Sequence, residues 1–214
     1  MTKEEIYSHV DHTLLKPEAT WEQVRALCDE ALEHKTASVC INPGYVKAAV
    51  EYTAGKMPIC TVIGFPLGAT SCESKVFEAI QALEDGASEF DMVINIGRLK
   101  AGETDYVQKE IEALRYALPD KVLKVIIETC LLTDDEKRLM CEIVCKAGAD
   151  YIKTSTGFSS GGATFADVEL MVQAVHGRCK VKASGGIHSV SDMERYLELG
   201  CERLGCSGAA KLLK

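Results

Sequence analysis

Aromatic residues are scarce in this chain, 6% of the total with a single Trp, and basic residues are outnumbered, 24 Lys and Arg against 32 Asp and Glu for a net charge of −8. A nucleic-acid-binding surface needs a basic footprint and aromatic platforms on which bases stack. Polynucleotides are therefore excluded as partners. No run of about 18 apolar residues occurs, so nothing in the sequence would cross a membrane as a helix. The charged start Met1-Thr2-Lys3-Glu4-Glu5 has no apolar segment behind it, which predicts a soluble, unsecreted, cytoplasmic protein with no membrane partner. Cysteine is not scarce, at ten residues, but no C-x-x-C pair and no His-x-x-x-His partner appears. Neither a disulfide framework nor a metal site is indicated. Cys28, Cys60, Cys141 and Cys145 lie inside apolar runs, where a reduced thiol behaves as a small hydrophobe.

With 47% hydrophobic and 26% charged residues over 214 positions, the composition is that of one globular domain with a sizeable core. Short β-rich runs alternate with amphipathic stretches from end to end. The predicted strands are Val10–Leu14, Ala37–Ile41, Ile59–Ile63, Glu89–Asn95, Leu123–Glu128, Asp150–Lys153, Cys179–Ala183 and Arg203–Cys206. Helical spacing of apolar residues is plain over Trp21–His34 and Asp134–Ala147. Gly86, Gly148 and Gly200 each close a helix and launch a strand. They stand 62 and 52 residues apart, about two βα modules each. Eight modules predict a single α/β domain over residues 1–214, a (β/α)₈ barrel. A doubly wound open sheet is the alternative, but no G-x-G-x-x-G follows the first strands.

In such a barrel the C-terminal strand ends converge on one mouth, and four charged residues fall within or close apolar strands: Asp91, Glu128, Lys153 and Lys182. A structural ion-pair network is one reading, because a charge without a partner in an apolar interior costs several kcal/mol. The two lysines favour chemistry. If they end adjacent parallel strands, their like charges repel and each lowers the other's pKa. An ordinary lysine, near pKa 10.4, is neutral in about one copy in 2,500 at pH 7; one brought near 7 is half neutral. A neutral lysine attacks carbonyls to give a Schiff base, and Asp91 could move the protons.

Three glycine and serine loops follow the last three strands: Ser155–Thr164, Ser184–Ile187 and Gly205–Gly208. Their backbone N–H groups could cradle an anion. No G-x-x-x-x-G-K-[ST] occurs, so a sugar phosphate is expected rather than a nucleoside triphosphate. The five histidines show no metal spacing, and Asp134-Asp135-Glu136 reads as a helix start. Two rival functions remain open at this point: a cofactor-free sugar-phosphate isomerase or epimerase with Asp91 as base, and an inert barrel that senses a sugar phosphate.

The ordered set Asp11-His12-Thr13-Leu14-Leu15-Lys16-Pro17, Val39-Cys40-Ile41-Asn42-Pro43, Cys60-Thr61-Val62-Ile63-Gly64-Phe65-Pro66, Glu89-Phe90-Asp91-Met92-Val93-Ile94-Asn95, Lys124-Val125-Ile126-Ile127-Glu128-Thr129, Ile152-Lys153-Thr154-Ser155-Thr156-Gly157-Phe158 and Val181-Lys182-Ala183-Ser184-Gly185-Gly186-Ile187 resembles the deoxyribose-phosphate aldolases, class I aldolases with a TIM barrel fold. The resemblance implies that Lys153 forms the Schiff base, that Lys182 lowers its pKa and that Asp91 is the acid/base residue. It implies reversible cleavage of 2-deoxy-D-ribose 5-phosphate into D-glyceraldehyde 3-phosphate and acetaldehyde, with no metal or organic cofactor and a homodimer as an allowed assembly. Substrate contacts are expected from Cys40, Thr154, Gly157, Gly185, Gly186, His188, Gly205 and Ser207. The chain departs from the family pattern in three places. His188 stands where relatives commonly have Arg or Lys, Gly205-Cys206-Ser207 replaces Gly-Thr-Ser, and no tyrosine-bearing tail follows the last strand. The first two predict weaker or pH-dependent phosphate affinity.

Overall fold

The computed structural model describes residues 1–213. Ten helices and eight strands follow in the order α1 (Lys3–Tyr7), β1 (Val10–Leu14), α2 (Trp21–His34), β2 (Ser38–Ile41), α3 (Val46–Thr53), β3 (Ile59–Ile63), α4 (Cys72–Glu84), β4 (Glu89–Val93), α5 (Ile96–Lys100), α6 (Thr104–Ala117), β5 (Val122–Ile126), α7 (Asp134–Lys146), β6 (Tyr151–Lys153), α8 (Phe165–Val175), β7 (Lys180–Ser184), α9 (Val190–Glu198), β8 (Arg203–Cys206) and α10 (Ala209–Leu212). Every strand pairs in parallel with its sequence neighbour, and β8 closes on β1, so no sheet edge is left open. This is the (β/α)₈ barrel. No helix among the described residues is long and apolar enough to cross a membrane.

All eight predicted strands are present, with shifts at the ends that have local causes. Strand β4 stops at Val93 because Asn95 caps α5, its side chain accepting from the Arg98 N–H. Strand β5 stops at Ile126 because Glu128 takes a left-handed backbone (φ 55°), which ends extended pairing. Gly86, Gly148 and Gly200 have φ of 99°, 78° and 103°, the left-handed closure their position predicts.

Alternation along each strand divides the interior from the helix-facing shell. Phe90, Met92, Ile152, Val181 and Leu204 face the helices and join the main apolar core. The inward positions are unusual. Asp11, Ser38, Glu89, Asp91, Lys124 and Lys182 are all buried, so much of the barrel centre is polar, where the branched apolar layers of an ordinary barrel would sit. A smaller apolar cluster of Leu15, Cys40, Cys60 and Val62, with Phe65 against it, lies apart from the shell core.

A second buried ion pair braces the C-terminal ends of β3 and β4. Lys75 on α4 donates to the Val93 carbonyl at 2.8 Å and to Glu110 on α6 at 2.6 Å, and Glu110 accepts from the Asn95 N–H at 3.0 Å. Neither side chain of the pair is exposed. The aliphatic stem of Lys75 packs where Gly64 has no side chain, since a Cβ there would lie 2.7 Å from Lys75 Cε.

Removing one partner of such a pair leaves a buried charge uncompensated, at a cost of roughly 3–5 kcal/mol, whereas replacing both by apolar residues is often close to neutral. Glu110→Ala is therefore expected to lose about that much stability in urea unfolding. The double variant Lys75→Met/Glu110→Met is expected to recover most of it, and a double variant no more stable than the single would contradict this account.

Candidate active site

Strand β4 projects Asp91 into the barrel, and four side chains from four other strands, β3, β5, β6 and β7, converge on it. Its Oδ2 accepts from Lys153 Nζ at 2.8 Å and from Lys182 Nζ at 2.6 Å; its Oδ1 accepts from Lys124 Nζ at 2.8 Å and from the Cys60 thiol at 3.2 Å. Lys153 and Lys182 are direct partners in the β6–β7 register, so both amines reach one carboxylate. Lys182 also donates to Asp11 at 2.5 Å. Asp11 accepts in turn from Ser38 at 2.7 Å and from Arg203 at 2.5 Å. Glu89 completes the group, 2.6 Å from Lys124 and 3.0 Å from Arg203.

The cluster therefore holds three carboxylates, Asp11, Glu89 and Asp91, against four cations, Lys124, Lys153, Lys182 and Arg203. One positive charge is in excess. Burial opposes ionisation of Asp91, but Lys124, Lys153 and Lys182 outweigh it and hold the carboxyl well below the usual range. Asp11 is likewise held down, by Lys124, Lys182 and Arg203. Burial would depress Lys182, yet Asp11 and Asp91 more than offset it and raise its pKa. Mutual lowering of the two lysines, expected from the sequence, thus fails for Lys182. Its two carboxylate partners outweigh its lysine neighbours, and it is a fixed ammonium.

Above the cluster a cavity of about 590 Å³ opens between the C-terminal ends of β1, β6, β7 and β8. Of the four cations, Lys153 alone lines it. Gly157, Gly185, Gly186, His188, Gly205 and Ser207 also form its wall. The two glycine loops pack backbone to backbone: a Cβ on Gly162 would lie 2.4 Å from the Gly185 carbonyl. No side chain larger than hydrogen fits there. Phe158 stands at the mouth with its ring edge-on to Phe65, centroids 5.2 Å apart. The wall carries Lys16, Lys153, His188 and Lys211 and no Asp or Glu, in a chain whose net charge is −8.

Three residues singled out from the sequence lie elsewhere. Cys40 faces the barrel centre but is fully buried and does not reach the cavity wall. Its thiol shares a hydrogen bond with Cys60 that lowers its pKa while the Cys60 thiol is raised, chiefly by burial. Thr154 is buried between strands, donating to the Ser184 carbonyl at 3.2 Å and accepting from the Ser184 N–H at 3.1 Å. Glu128 stays outside the cluster. Its carboxylate accepts from the Thr156 N–H at 3.3 Å and hydroxyl at 2.5 Å, anchoring the loop that follows Lys153.

Sequence reasoning passed over Asp11, Lys124, Glu89 and Arg203 because it looked for charges at the C-terminal ends of strands. A signal was available, since Lys124 breaks the apolar run Val122-Leu123-Lys124-Val125-Ile126 at its centre. It also passed over Lys16 and Lys211, which reach the mouth from segments outside the three glycine loops.

The family model described as DeoC/LacD family aldolase matches residues 6–214. A deoxyribose-phosphate aldolase of Clostridioides difficile is 55% identical over 209 residues, covering 98% of this chain and 95% of the relative. That of Streptococcus gordonii is 54% identical over 207 residues, covering 96% and 94%. Among solved structures, the tetrameric deoxyribose phosphate aldolase of Aeropyrum pernix superposes with a TM-score of 0.91 at 34% identity, covering 99% of this chain and 91% of that one.

Asp91 and Asp11 are both held below the ordinary carboxylate range, so their contribution to stability is complete above the unfolded-state pKa near 3.9 and is lost as the pH falls further. Urea unfolding at pH 7 and pH 3 is expected to show a steep acid loss in the native sequence. The loss should be shallower in Asp91→Asn, and equal slopes would mean that the carboxylate is not held by the cluster.

Proposed function

The chain belongs to the DeoC/LacD aldolase family, and on that footing we propose that it reversibly cleaves 2-deoxy-D-ribose 5-phosphate into D-glyceraldehyde 3-phosphate and acetaldehyde, with Lys153 as the Schiff-base residue. The observation that carries this reading is the place of Lys153: it is the one cation of the buried cluster that reaches the cavity, and it shares an oxygen of Asp91 with the fixed ammonium of Lys182. Attack on a carbonyl requires the free amine. With one cation in excess, loss of one proton brings the cluster to formal neutrality, and the protonated imine then restores the charge.

In this reading Lys153 Nζ adds to the sugar aldehyde carbon, and water leaves to give the iminium. The iminium withdraws electrons from the bond between the second and third sugar carbons. As the 3-hydroxyl proton is taken away, that bond breaks, D-glyceraldehyde 3-phosphate departs and an enamine of acetaldehyde stays on Lys153. Protonation of the enamine carbon and hydrolysis release acetaldehyde. Asp91 and Lys182, joined at 2.6 Å, are the proposed proton-transfer unit. Asp91 accepts as a carboxylate, and the Lys182 ammonium keeps it ionised and holds a proton at its side. Lys124 and Asp11 hold that pair from below and are positioning residues here.

The phosphate end falls to the acid-free wall. Lys16 and Lys211 have no carboxylate partner among the described residues and supply positive charge beside the glycine loops, whose N–H groups, with the His188 imidazole on the same wall, can donate to phosphate oxygens. An isomerase using Asp91 as base would need the same wall but would form no imine.

Treatment with acetaldehyde and borohydride distinguishes the two. The expected result is reduction of one imine per chain, with an ethyl group mapped to Lys153. An unlabelled protein, or a label chiefly on Lys182, would overturn the assignment. Asp91→Asn is expected to slow turnover by roughly 10²- to 10⁴-fold.

The phosphate reading makes a separate prediction. Lys16→Ala and Lys211→Ala are each expected to raise KM for deoxyribose 5-phosphate by about tenfold, equivalent to about 1.4 kcal/mol, with kcat nearly unchanged. Cleavage of unphosphorylated deoxyribose should not respond to either substitution. An equal effect on both substrates would mean that these lysines act on the fold and not on the phosphate.

A further inference from the structure

On the face of the barrel opposite the candidate site, two thiols meet. Cys145, in the last turn of α7, and Cys179, immediately before β7, place their Sγ atoms 3.0 Å apart. A disulfide bond measures about 2.05 Å, so a movement of about 1 Å would bring them to bonding distance. The segments are held in place independently of the thiols. Arg178, the residue before Cys179, donates through both terminal nitrogens to Glu142 on α7, at 2.7 and 2.5 Å, and also to the carbonyls of Val175 and Ala174.

Small molecules can reach the pair. One surface hollow of about 500 Å³ is walled by Cys145 together with Glu142, Lys146 and Arg178. A second, of about 630 Å³, is walled by both Cys145 and Cys179. The other close thiols, Cys40 and Cys60, are fully buried inside the barrel and have no such access. Cys141, one turn before Cys145, directs its sulfur toward the Met171 carbonyl.

We propose that Cys145 and Cys179 are a thiol-modification site, oxidised by a small-molecule disulfide to an intramolecular disulfide that ties the end of α7 to the start of β7. Cys145 is half-buried and reacts first, because burial pushes the Cys179 thiol well up. The Cys145 thiolate attacks one sulfur of the small disulfide, whose S–S bond breaks and releases one thiolate. The Cys179 thiolate then attacks the Cys145 sulfur, and the second small thiolate leaves. Two cysteine sulfurs are oxidised, the small disulfide is reduced to two thiols, and those thiols carry away the two protons. Burial slows the second attack, while the short approach favours it. The loop closed between the two positions spans 34 residues, and closing a loop of this length constrains the unfolded chain. The disulfide acts on stability: it lies at the N-terminal end of β7, away from the cavity.

Incubation of the native protein with excess glutathione disulfide, thiol blocking and peptide mapping without reduction test this. The expected product is a Leu139–Lys146 peptide linked through Cys145 to the Cys179-Lys180 fragment. The linked peptide should weigh two hydrogens less than its two parts, Tm should rise by about 5–15 °C and be restored by dithiothreitol, and kcat should stay within about twofold. Cys145→Ser should abolish both the link and the Tm rise, and Cys179→Ala should retain a single glutathionyl group on Cys145. A native protein that does not react, that keeps glutathione on Cys145, that links Cys141 instead, or that gains no stability on oxidation would overturn the proposal.

Discussion

Everything at the centre of this barrel depends on the Asp91 carboxylate and the ammonium groups gathered round it. A buried carboxylate with no partner would lose its charge or unfold its surroundings. Three lysines and a thiol satisfy it instead. The arrangement also works in reverse, because Lys182 and Lys124 are buried cations that need Asp91, Asp11 and Glu89. Each member makes the burial of the next tolerable, so the cluster is a unit and not a sum of pairs. Its one surplus positive charge lies toward the cavity, through the single lysine that reaches it.

The rest of the barrel is arranged around that requirement. The apolar layer is displaced outward, between strands and helices, and the inward strand positions are given to charge. A second buried ion pair, Lys75 with Glu110, fixes the ends of β3 and β4 from outside, so that the strand carrying Asp91 is held on both its faces. Above the cluster the wall changes character. Glycine backbones packed against each other leave N–H groups and space where side chains would stand, and cations without a carboxylate partner among the described residues replace the paired ones below. A deep layer of paired charges under a shallow cationic one suits a substrate with a carbonyl at one end and a phosphate at the other.

The two faces of the barrel differ in the same sense. At the C-terminal mouth, the cavity wall carries no Asp or Glu and exposes groups to a ligand. At the N-terminal face, ion pairs such as Arg178 with Glu142 and Arg115 with Asp150 bind helix to strand. Cys145 and Cys179 sit among these fastenings, in the part of the molecule where a covalent link would add to stability without entering the site.

The sequence by itself determined the repeat, and with it the fold. Eight apolar runs at module spacing, separated by helical periodicity and closed by glycines such as Gly86, Gly148 and Gly200, leave few topologies, because periodicity and turn chemistry are local properties of the chain. It also determined Asp91, Lys153 and Lys182 as candidates, since a charge in or at the end of an apolar strand is visible without coordinates. Tertiary structure alone decided which charges meet. Asp11 and Asp91 are eighty residues apart and share Lys182 only because β8 closes on β1; Glu128 ends a similar apolar run yet turns away, because its backbone becomes left-handed. It decided too that Lys182 is raised and not lowered, because the pKa of a buried group depends on every charge within a few ångströms, and those neighbours come from distant strands. Lys16 and Lys211 at the mouth were unreadable for the same reason: loops acquire a common wall only when the barrel has closed.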